Sequence, residues 1–267
     1  MNKTPVVSII MPVYNGGFHL LEAINSILNQ SYSNFEFIII NDASTDDSGK
    51  ILKKIADNRV KLYSFTKHLG VAKSLNKAIS LAKGKFIARM DADDVAYPDR
   101  LMYQLNFMKV HPRTVLVGSW VELISDQGVF IRNKSYPILY EQIKRIIISY
   151  NPFVHPTLLM KSDIFQTLGG YDETLNGAED YDLVLRISKK FEVQNIPKVL
   201  LKFRFNISSV TYKNIKQIEL QSFKARLKAL SLYKYSLLQG LLLLKPFISL
   251  CVPEFIKKTI LQKNNFK

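Results

Sequence analysis

Asp91-Ala92-Asp93-Asp94 lies directly behind the apolar residues Phe86-Ile87-Ala88 and Met90, which read as a buried strand. Carboxylates this close together repel one another, so the cluster calls for a cation or a cationic partner. Side chains alternate along an extended segment, which points Asp91 and Asp93 the same way, with Ala92 keeping the space between them small. Two oxygen donors on one side suit a hard divalent ion that also binds phosphate oxygens. A solvated acidic turn, with Asp94 capping a helix, is the competing reading. A second cluster, Glu179-Asp180-Tyr181-Asp182, precedes Leu183, Val184 and Ile187 at helical spacing. Dipole stabilisation of a helix N-terminus explains part of it, but three carboxylates in four residues exceed what a cap requires. Gly169-Gly170-Tyr171-Asp172 and Gly177 make the approach to it a flexible loop.

The elements that must carry these residues repeat one unit. Val6 to Pro12 is a β-rich apolar run closed by a proline. The loop Val13-Tyr14-Asn15-Gly16-Gly17 follows, and then Leu20, Leu21, Ile24, Ile27 and Leu28 at helical spacing. Phe35 to Ile40, a polar loop from Asn41 to Asp47, and a helix begun by Ile51, Leu52 and Ile55 repeat the pattern. Val60 to Phe65 and a helix over Val71 to Leu81 form the next unit, Gly84 closes it, and Lys85 to Met90 delivers the aspartates. Strand-helix alternation of this kind predicts an α/β fold with a doubly wound, mostly parallel sheet. Ligands of such sheets bind outside the carboxyl ends of the strands, where Tyr14-Asn15, Asp42 and Asp91-Ala92-Asp93 would converge. Beyond Pro112 the pattern is less regular. It suggests a strand over Val115 to Leu123, a turn at Gly128, a helix around Tyr140 to Ser149, and a strand from Phe153 to Met160 that carries His155-Pro156-Thr157.

With 267 residues, 47% of them apolar, the chain can bury a full core. The single Cys251 excludes an internal disulfide framework, no Cys/His spacing fits a zinc site, and Met1 to Pro5 carries no secretion signal, so a reducing, cytoplasmic setting is expected. The formal charge is +15, and residues 211–267 hold 11 Lys/Arg against 2 Glu, or +9. No nucleic-acid-binding signature accompanies these charges, so an anionic membrane surface is the expected partner. Ser236 to Val252 is mostly apolar but is interrupted by Lys245-Pro246, which leaves it short of the about 20 apolar residues a spanning helix needs. Two amphipathic helices broken near Pro246 and Pro253 are expected there. With Lys224, Arg226, Lys228, Lys234, Lys257, Lys258, Lys263 and Lys267 around them, they fit peripheral attachment to the inner face of the cell membrane. A helical hairpin packed on the catalytic region or on a second copy is the alternative.

Five segments in order resemble the inverting family-2 glycosyltransferases, whose nucleotide-binding fold is termed GT-A. They are Val7-Ser8-Ile9-Ile10-Met11-Pro12-Val13-Tyr14-Asn15, Asn41-Asp42-Ala43-Ser44-Thr45-Asp46, Asp91-Ala92-Asp93-Asp94, Tyr97-Pro98-Asp99-Arg100 and Glu179-Asp180-Tyr181-Asp182. The resemblance covers residues 5 to 205. It implies a catalytic region over 1–210, with a nucleotide-binding half (1–112), a smaller acceptor half (113–210) and a basic helical region (211–267) appended. The implied reaction moves a sugar, with inversion, from a nucleotide-diphosphate sugar, UDP-linked, to a hydroxyl of a glycan, for example a lipid-linked surface-polysaccharide precursor. Residue by residue, it implies that Pro12, Tyr14 and Asn15 line the nucleotide, that Asp42 accepts a hydrogen bond from the base, and that Asp91 approaches the ribose. Asp93 would hold Mn2+ or Mg2+ on the diphosphate, and Asp180, beside Glu179, would be the general base. An ionised Asp42 is acceptor-only and can select the imide N–H of uracil; a structural loop cap is its other possible use.

Other residues keep two readings. His68-Leu69-Gly70 resembles the family's loop beside the donor, where His68 and Lys73 would meet phosphate or solvent. Ser44 and Asp46 read as caps, Trp120 as core packing rather than a sugar-stacking wall, and Arg100 as charge balance for the acidic loop rather than a substrate contact. His155 is either a satisfied structural residue or a contact to donor or acceptor sugar. Lys202-Phe203-Arg204-Phe205-Asn206 resembles a family segment that usually reads Tyr-Arg-x-His. Asn206 takes the histidine's place, leaving Arg204 as the expected diphosphate contact. Two rival functions remain. One is a haloacid-dehalogenase-like phosphatase with Asp91 as nucleophile and Asp93 as acid/base, although such enzymes carry that motif on their first strand. The other is a non-catalytic nucleotide-sugar-binding or membrane-scaffolding protein.

Overall fold

Alternating apolar side chains on the first strand serve two cores at once. In the computed structural model, which describes residues 4–205 and 214–265, β1 (Val7–Val13), β2 (Phe35–Asn41), β3 (Val60–Ser64) and β4 (Phe86–Arg89) are the runs read from sequence, trimmed or extended by a residue or so. Val7, Ile9, Met11 and Val13 pack with Leu20, Ala23, Ile24 and Ile27 of α1 (Leu20–Leu28) on one face of the sheet. Ile10 packs with Ala72, Leu75 and Ala78 of α3 (Val71–Leu81) on the other. Burial on both faces explains why β1 and β2 read as nearly continuous apolar runs. α2 (Ser48–Lys53) is short, and its Leu52 joins the α1 face. All pairings among these four strands are parallel, in the order β3-β2-β1-β4.

The second half completes a nine-stranded sheet and supplies its antiparallel pairs. β5 (Val95–Ala96), α4 (Arg100–Val110), β6 (Thr114–Ile124), β7 (Phe130–Lys134), α5 (Tyr140–Ile146), β8 (Leu159–Lys161), α6 (Ile164–Leu168), α7 (Glu179–Lys190) and β9 (Glu192–Arg204) follow in order. The path runs β3-β2-β1-β4-β8-β6-β9-β5, with β7 paired to β6. β8 runs antiparallel to β4, while β9 is parallel to β6 and pairs antiparallel with β5. The sheet is thus the expected doubly wound α/β type, parallel through its first four strands and mixed beyond them.

Two sequence expectations need correction here. His155-Pro156-Thr157 forms a 3-10 turn, and the strand begins only at Leu159. Pro156 has no N–H for a ladder, and Thr157 donates both its N–H (2.9 Å) and its hydroxyl (2.7 Å) back to the Val154 carbonyl. Pro246 does not break a helix either. It is the third residue of α10 (Leu244–Cys251), in the first turn, where a missing N–H costs no hydrogen bond. The chain instead turns between α8 (Ile215–Ser231) and the short α9 (Leu237–Gly240), and again at Val252-Pro253 before α11 (Glu254–Asn265). Among the described residues, no helix is long and apolar enough to cross a membrane.

α8 docks on α7. Ala225, Arg226 and Ala229 are buried at this seam. The Arg226 guanidinium donates to the carbonyls of Ile148 (2.9 Å) and Ser149 (3.1 Å) and lies over the Tyr181 ring. Lys228 pairs with Asp172, the Tyr233 hydroxyl donates to Asp182, and Tyr235 bonds Ser188 at 2.8 Å. Some of the basic charge of the C-terminal region is therefore spent inside the protein. Asn206 and Lys267 lie outside the described residues.

Candidate active site

Two loops at the rim of the sheet are laced together by their own polar groups. Asn15 leaves β1 with φ of 51°, a left-handed conformation that Asn tolerates. Its side-chain oxygen accepts the Thr45 N–H at 2.8 Å, and its own N–H donates to Ser44 Oγ at 3.1 Å. Asp46 accepts from the backbone of Gly17 (3.0 Å) and Ser48 (2.9 Å), so Ser44 and Asp46 do fasten the loop. Asp42, at the end of β2, is 2% exposed. Its two oxygens accept the N–H groups of Leu69 (2.7 Å) and Gly70 (2.8 Å), with His68 Nδ1 3.0 Å away. These bonds are those of a loop cap. The loop it holds places His68 in a stack on Tyr14, ring centroids 3.8 Å apart, with both side chains half open to solvent. Pro12 precedes them on β1 and is partly buried. The rim therefore offers a Tyr14–His68 aromatic shelf of the kind a nucleobase stacks on.

Arg89, the last residue of β4, organises the acidic part of the site. It is 4% exposed and ion-paired with Asp91. Asp91, Asp93 and Asp94 each offer an oxygen within 4.8 Å of the others. Asp94 is buried. One of its oxygens accepts the Arg204 N–H at 2.8 Å, and Oδ2 has no hydrogen-bond partner. Burial, reinforced by the charge of Asp91, raises the pKa of Asp93 to about 6; burial and the charges of Asp93 and Asp91 push Asp94 well above the carboxylate range. A hard, all-oxygen donor set with more negative charge than Arg89 offsets, one of whose residues holds a buried orphan oxygen, fits a divalent cation.

The second acidic cluster reaches the same place through α7. Glu179 is buried, and its carboxylate accepts the Gly177 N–H at 2.7 Å. Burial and the neighbouring Asp180 raise its pKa to about 7. Asp180 accepts a hydrogen bond from Asn151 Nδ2 at 3.1 Å, and burial raises its pKa too. His155 bonds the Tyr171 hydroxyl at 2.9 Å, and burial, then Arg89, hold it well below the usual histidine range, so it is neutral. Asn76 of α3 clamps Tyr171 from both sides, accepting its N–H (2.8 Å) and donating to its carbonyl (3.0 Å). A Cβ on Gly170 would lie 2.2 Å from that Asn76 oxygen, so glycine is required for the clamp to close. The charge of Arg89 acts on Asp93, Asp94, His155, Tyr171, Glu179 and Asp180 alike. The charge of one buried guanidinium thus reaches both acidic clusters.

Arg204 is the main correction. The sequence suggested a diphosphate contact, but its guanidinium is 4% exposed and already committed. Nε donates to the Asp93 carbonyl (2.8 Å), Nη1 to the carbonyls of Asp126 (2.8 Å) and Ser125 (3.2 Å), and Nη2 to Glu22 (2.7 Å). It pins the aspartate loop rather than facing a ligand. Among the described residues Arg100 makes no ion pair, and it does not meet solvent, but the charge of Asp94 in the acidic loop favours its ionised form, in keeping with a charge-balancing role. It is buried, donates to the Arg89 carbonyl at 2.8 Å and to Gln104, and burial lowers its pKa to about 9. The Trp120 indole donates to the Tyr136 carbonyl at 3.0 Å, as a packed residue does.

Sequence reasoning passed over Arg89 and Asn151. Arg89 had a readable signal: it breaks an apolar run two residues before Asp91, on the same side of the strand. Asn151 had none, because nothing local to it points at Asp180, 29 residues away.

A family model described as glycosyl transferase family 2 matches residues 8–169. The O-antigen biosynthesis glycosyltransferase WbnJ of Escherichia coli is 36% identical over 230 residues, which is 83% of this chain and 88% of that protein. The structure of S. aureus TarS 1-349 in complex with UDP superposes with a TM-score of 0.64 at 19% identity, over 88% of this chain and 73% of that one. Mannosyltransferase PcManGT from Pyrobaculum calidifontis, in complex with GDP-Man and Mn2+, gives the same TM-score at 20% identity, over 85% of this chain and 65% of that one. At those identities the two structures establish the fold. Asp91 and Asp93 follow the fourth strand in chain order rather than the first, and with the family match this removes the phosphatase reading.

Proposed function

This chain belongs to glycosyl transferase family 2 and is a glycosyltransferase, and from that premise we propose that it transfers a sugar from a UDP-linked donor, with inversion, to a hydroxyl of a glycan acceptor, a lipid-linked surface-polysaccharide precursor. The observation that carries the reading is the pairing of two acidic clusters around Arg89, one suited to a cation and the other presenting Asp180 as a base. UDP in the TarS complex supports the choice of donor, and the O-antigen role of WbnJ supports the acceptor class.

Asp93, with Asp91 and Asp94 beside it, would hold Mn2+ or Mg2+, and PcManGT carries Mn2+ in its complex. When bound, that ion supplies positive charge at the departing diphosphate, so no protein acid is needed. The protein's own residues do the rest. The Tyr14–His68 shelf receives the base, the Asp42 contacts hold the loop that carries His68, and the Arg204 contacts hold the aspartate loop. Asp180, oriented by Asn151, takes the acceptor's hydroxyl proton as that oxygen bonds to the anomeric carbon and the carbon–diphosphate oxygen bond breaks. A single displacement of this kind inverts the centre. A carboxylate with a raised pKa is the better base for this step.

The test is turnover across a panel of nucleotide sugars with Mn2+ or Mg2+. UDP-linked donors are expected to react. Asp180→Asn is expected to slow transfer by about 10²–10⁴-fold with donor affinity retained. Unchanged turnover in that variant removes Asp180 as base. UDP binding without turnover on any donor favours the non-catalytic alternative.

A further inference from the structure

α10 carries its apolar side outward. Leu244, Phe247, Ile248 and Cys251 recur at the spacing that puts them on one helix face. That face is turned to solvent, with Leu244 65%, Phe247 54% and Ile248 56% exposed and Cys251 exposed as well. The other side faces protein: Ser249 donates to Glu219 of α8 at 2.9 Å, and Leu242 and Leu243, just ahead of the helix, pack against the core. Phe255, at the start of α11, is also exposed. α8 contributes a second face on which Leu220, Lys224 and Leu227 share helical spacing and are all exposed.

The charge around this patch is one-sided. Arg226, Lys228, Lys257 and Lys258 are bonded within the protein. Lys224, Lys234 and Lys245 face solvent, Lys245 directly beside Leu244. An exposed apolar stripe with Lys245 beside it, in a region whose other exposed charges include Lys224 and Lys234, matches a surface that is apolar below and anionic above. A second copy of the chain matches poorly, because a self-complementary contact would bring two regions of formal charge +9 together.

We propose that α10 and the lysines around it form a docking face for an anionic lipid bilayer, with Leu244, Phe247 and Ile248 entering the headgroup layer and Lys224, Lys234 and Lys245 meeting lipid phosphates. Docking is read by binding alone, so it stands or falls independently of donor, acceptor and base.

The experiment is co-sedimentation of the full chain with vesicles of phosphatidylcholine, alone or mixed with phosphatidylglycerol. The wild type is expected to sediment with the mixed vesicles, more weakly in added salt, and not with the neutral ones. The double substitution Phe247→Glu/Ile248→Glu and the double substitution Lys224→Glu/Lys245→Glu are each expected to weaken vesicle binding at least about tenfold while retaining UDP binding. The lysine variant changes only exposed side chains, so it decides the matter if the apolar variant fails to fold. Absence of sedimentation, or equal sedimentation of wild type and the lysine variant, overturns the proposal. So does a wild-type dimer, seen by light scattering, that Phe247→Glu/Ile248→Glu dissociates without any vesicle binding by the wild type.

Discussion

Replacing Arg204 by methionine separates a structural pin from a ligand contact. The side chain is 4% exposed, and its guanidinium satisfies the carbonyls of Asp93, Ser125 and Asp126 and the carboxylate of Glu22. Methionine fills much of the volume but donates nothing, leaving three carbonyls without that partner. A buried acceptor left unsatisfied costs about 1–3 kcal/mol, and three carbonyls lose their donor at once, whereas the exposed Glu22 carboxylate returns to water. A loss of about 4 kcal/mol is therefore expected, which at about 2–4 °C per kcal/mol lowers Tm by roughly 8–16 °C. Glu22 sets the internal control. Its side chain is 57% exposed, so Glu22→Gln is expected to cost less than about 1 kcal/mol. The assay is thermal unfolding followed by circular dichroism, paired with calorimetric titration of UDP at a temperature where both variants are folded. A diphosphate contact would behave in the opposite way. If Arg204→Met melts with the wild type while UDP affinity falls tenfold or more, the pinning role is wrong.

Further outcomes follow from the same geometry. Glu179 titrates near 7 in the folded protein against an ordinary 4.5, so the fold holds the extra proton; its contribution is fully present below about 4.5 and lost as pH rises through about 7. Glu179→Gln is thus expected to stabilise the metal-free protein at pH 8 by on the order of 3 kcal/mol and to change little near pH 4, as read by denaturant unfolding at the two pH values. Because the raised pKa of Asp93 makes protons compete with the ion, Mn2+ affinity should fall as pH drops through about 6, and calorimetry on Asp93→Asn should show that dependence lost. Asn151→Ala removes a hydrogen bond to the ionised form of Asp180, so the acidic limb of the rate profile should move to higher pH with KM for the donor unchanged; an unmoved limb rules out Asn151 as a positioning residue. Gly84→Ala would place a Cβ 2.5 Å from the Ser8 backbone nitrogen in β1, and a fall in Tm corresponding to at least about 2 kcal/mol is expected.

The first half of the fold is legible because its rules are local. β1, β2 and β4 are mostly apolar runs, α1 and α3 show clean helical spacing, and the expected bounds of α3 match the structure. The second half resists reading because its strands answer to partners far away in the chain. β8 is three residues long and owes its place to β4 on one side and β6 on the other. His155-Pro156-Thr157 looks extended until its turn hydrogen bonds are seen. In the C-terminal region α8 packs against α7, as the packed alternative expected, while Leu244, Phe247 and Ile248 of α10 stay exposed.

Carboxylate spacing, strand alternation and the order of the motifs were enough, without coordinates, to identify an α/β sheet with acidic chemistry at its carboxyl rim and two candidate centres, at Asp93 and Asp180. Which polar groups remain available to a ligand was decided only by tertiary structure. Arg204 and Glu22 are 182 residues apart, and Asp42 and Gly70 are 28 apart. A residue type states what a side chain can donate or accept, whereas burial determines which partners claim it first. Satisfying a buried guanidinium or carboxylate within the protein avoids a desolvation cost of several kcal/mol. That is why Arg204 and Asp42 hold the loops of the site together, and why Arg89, a charge set in an apolar run, is committed to the acidic groups around it.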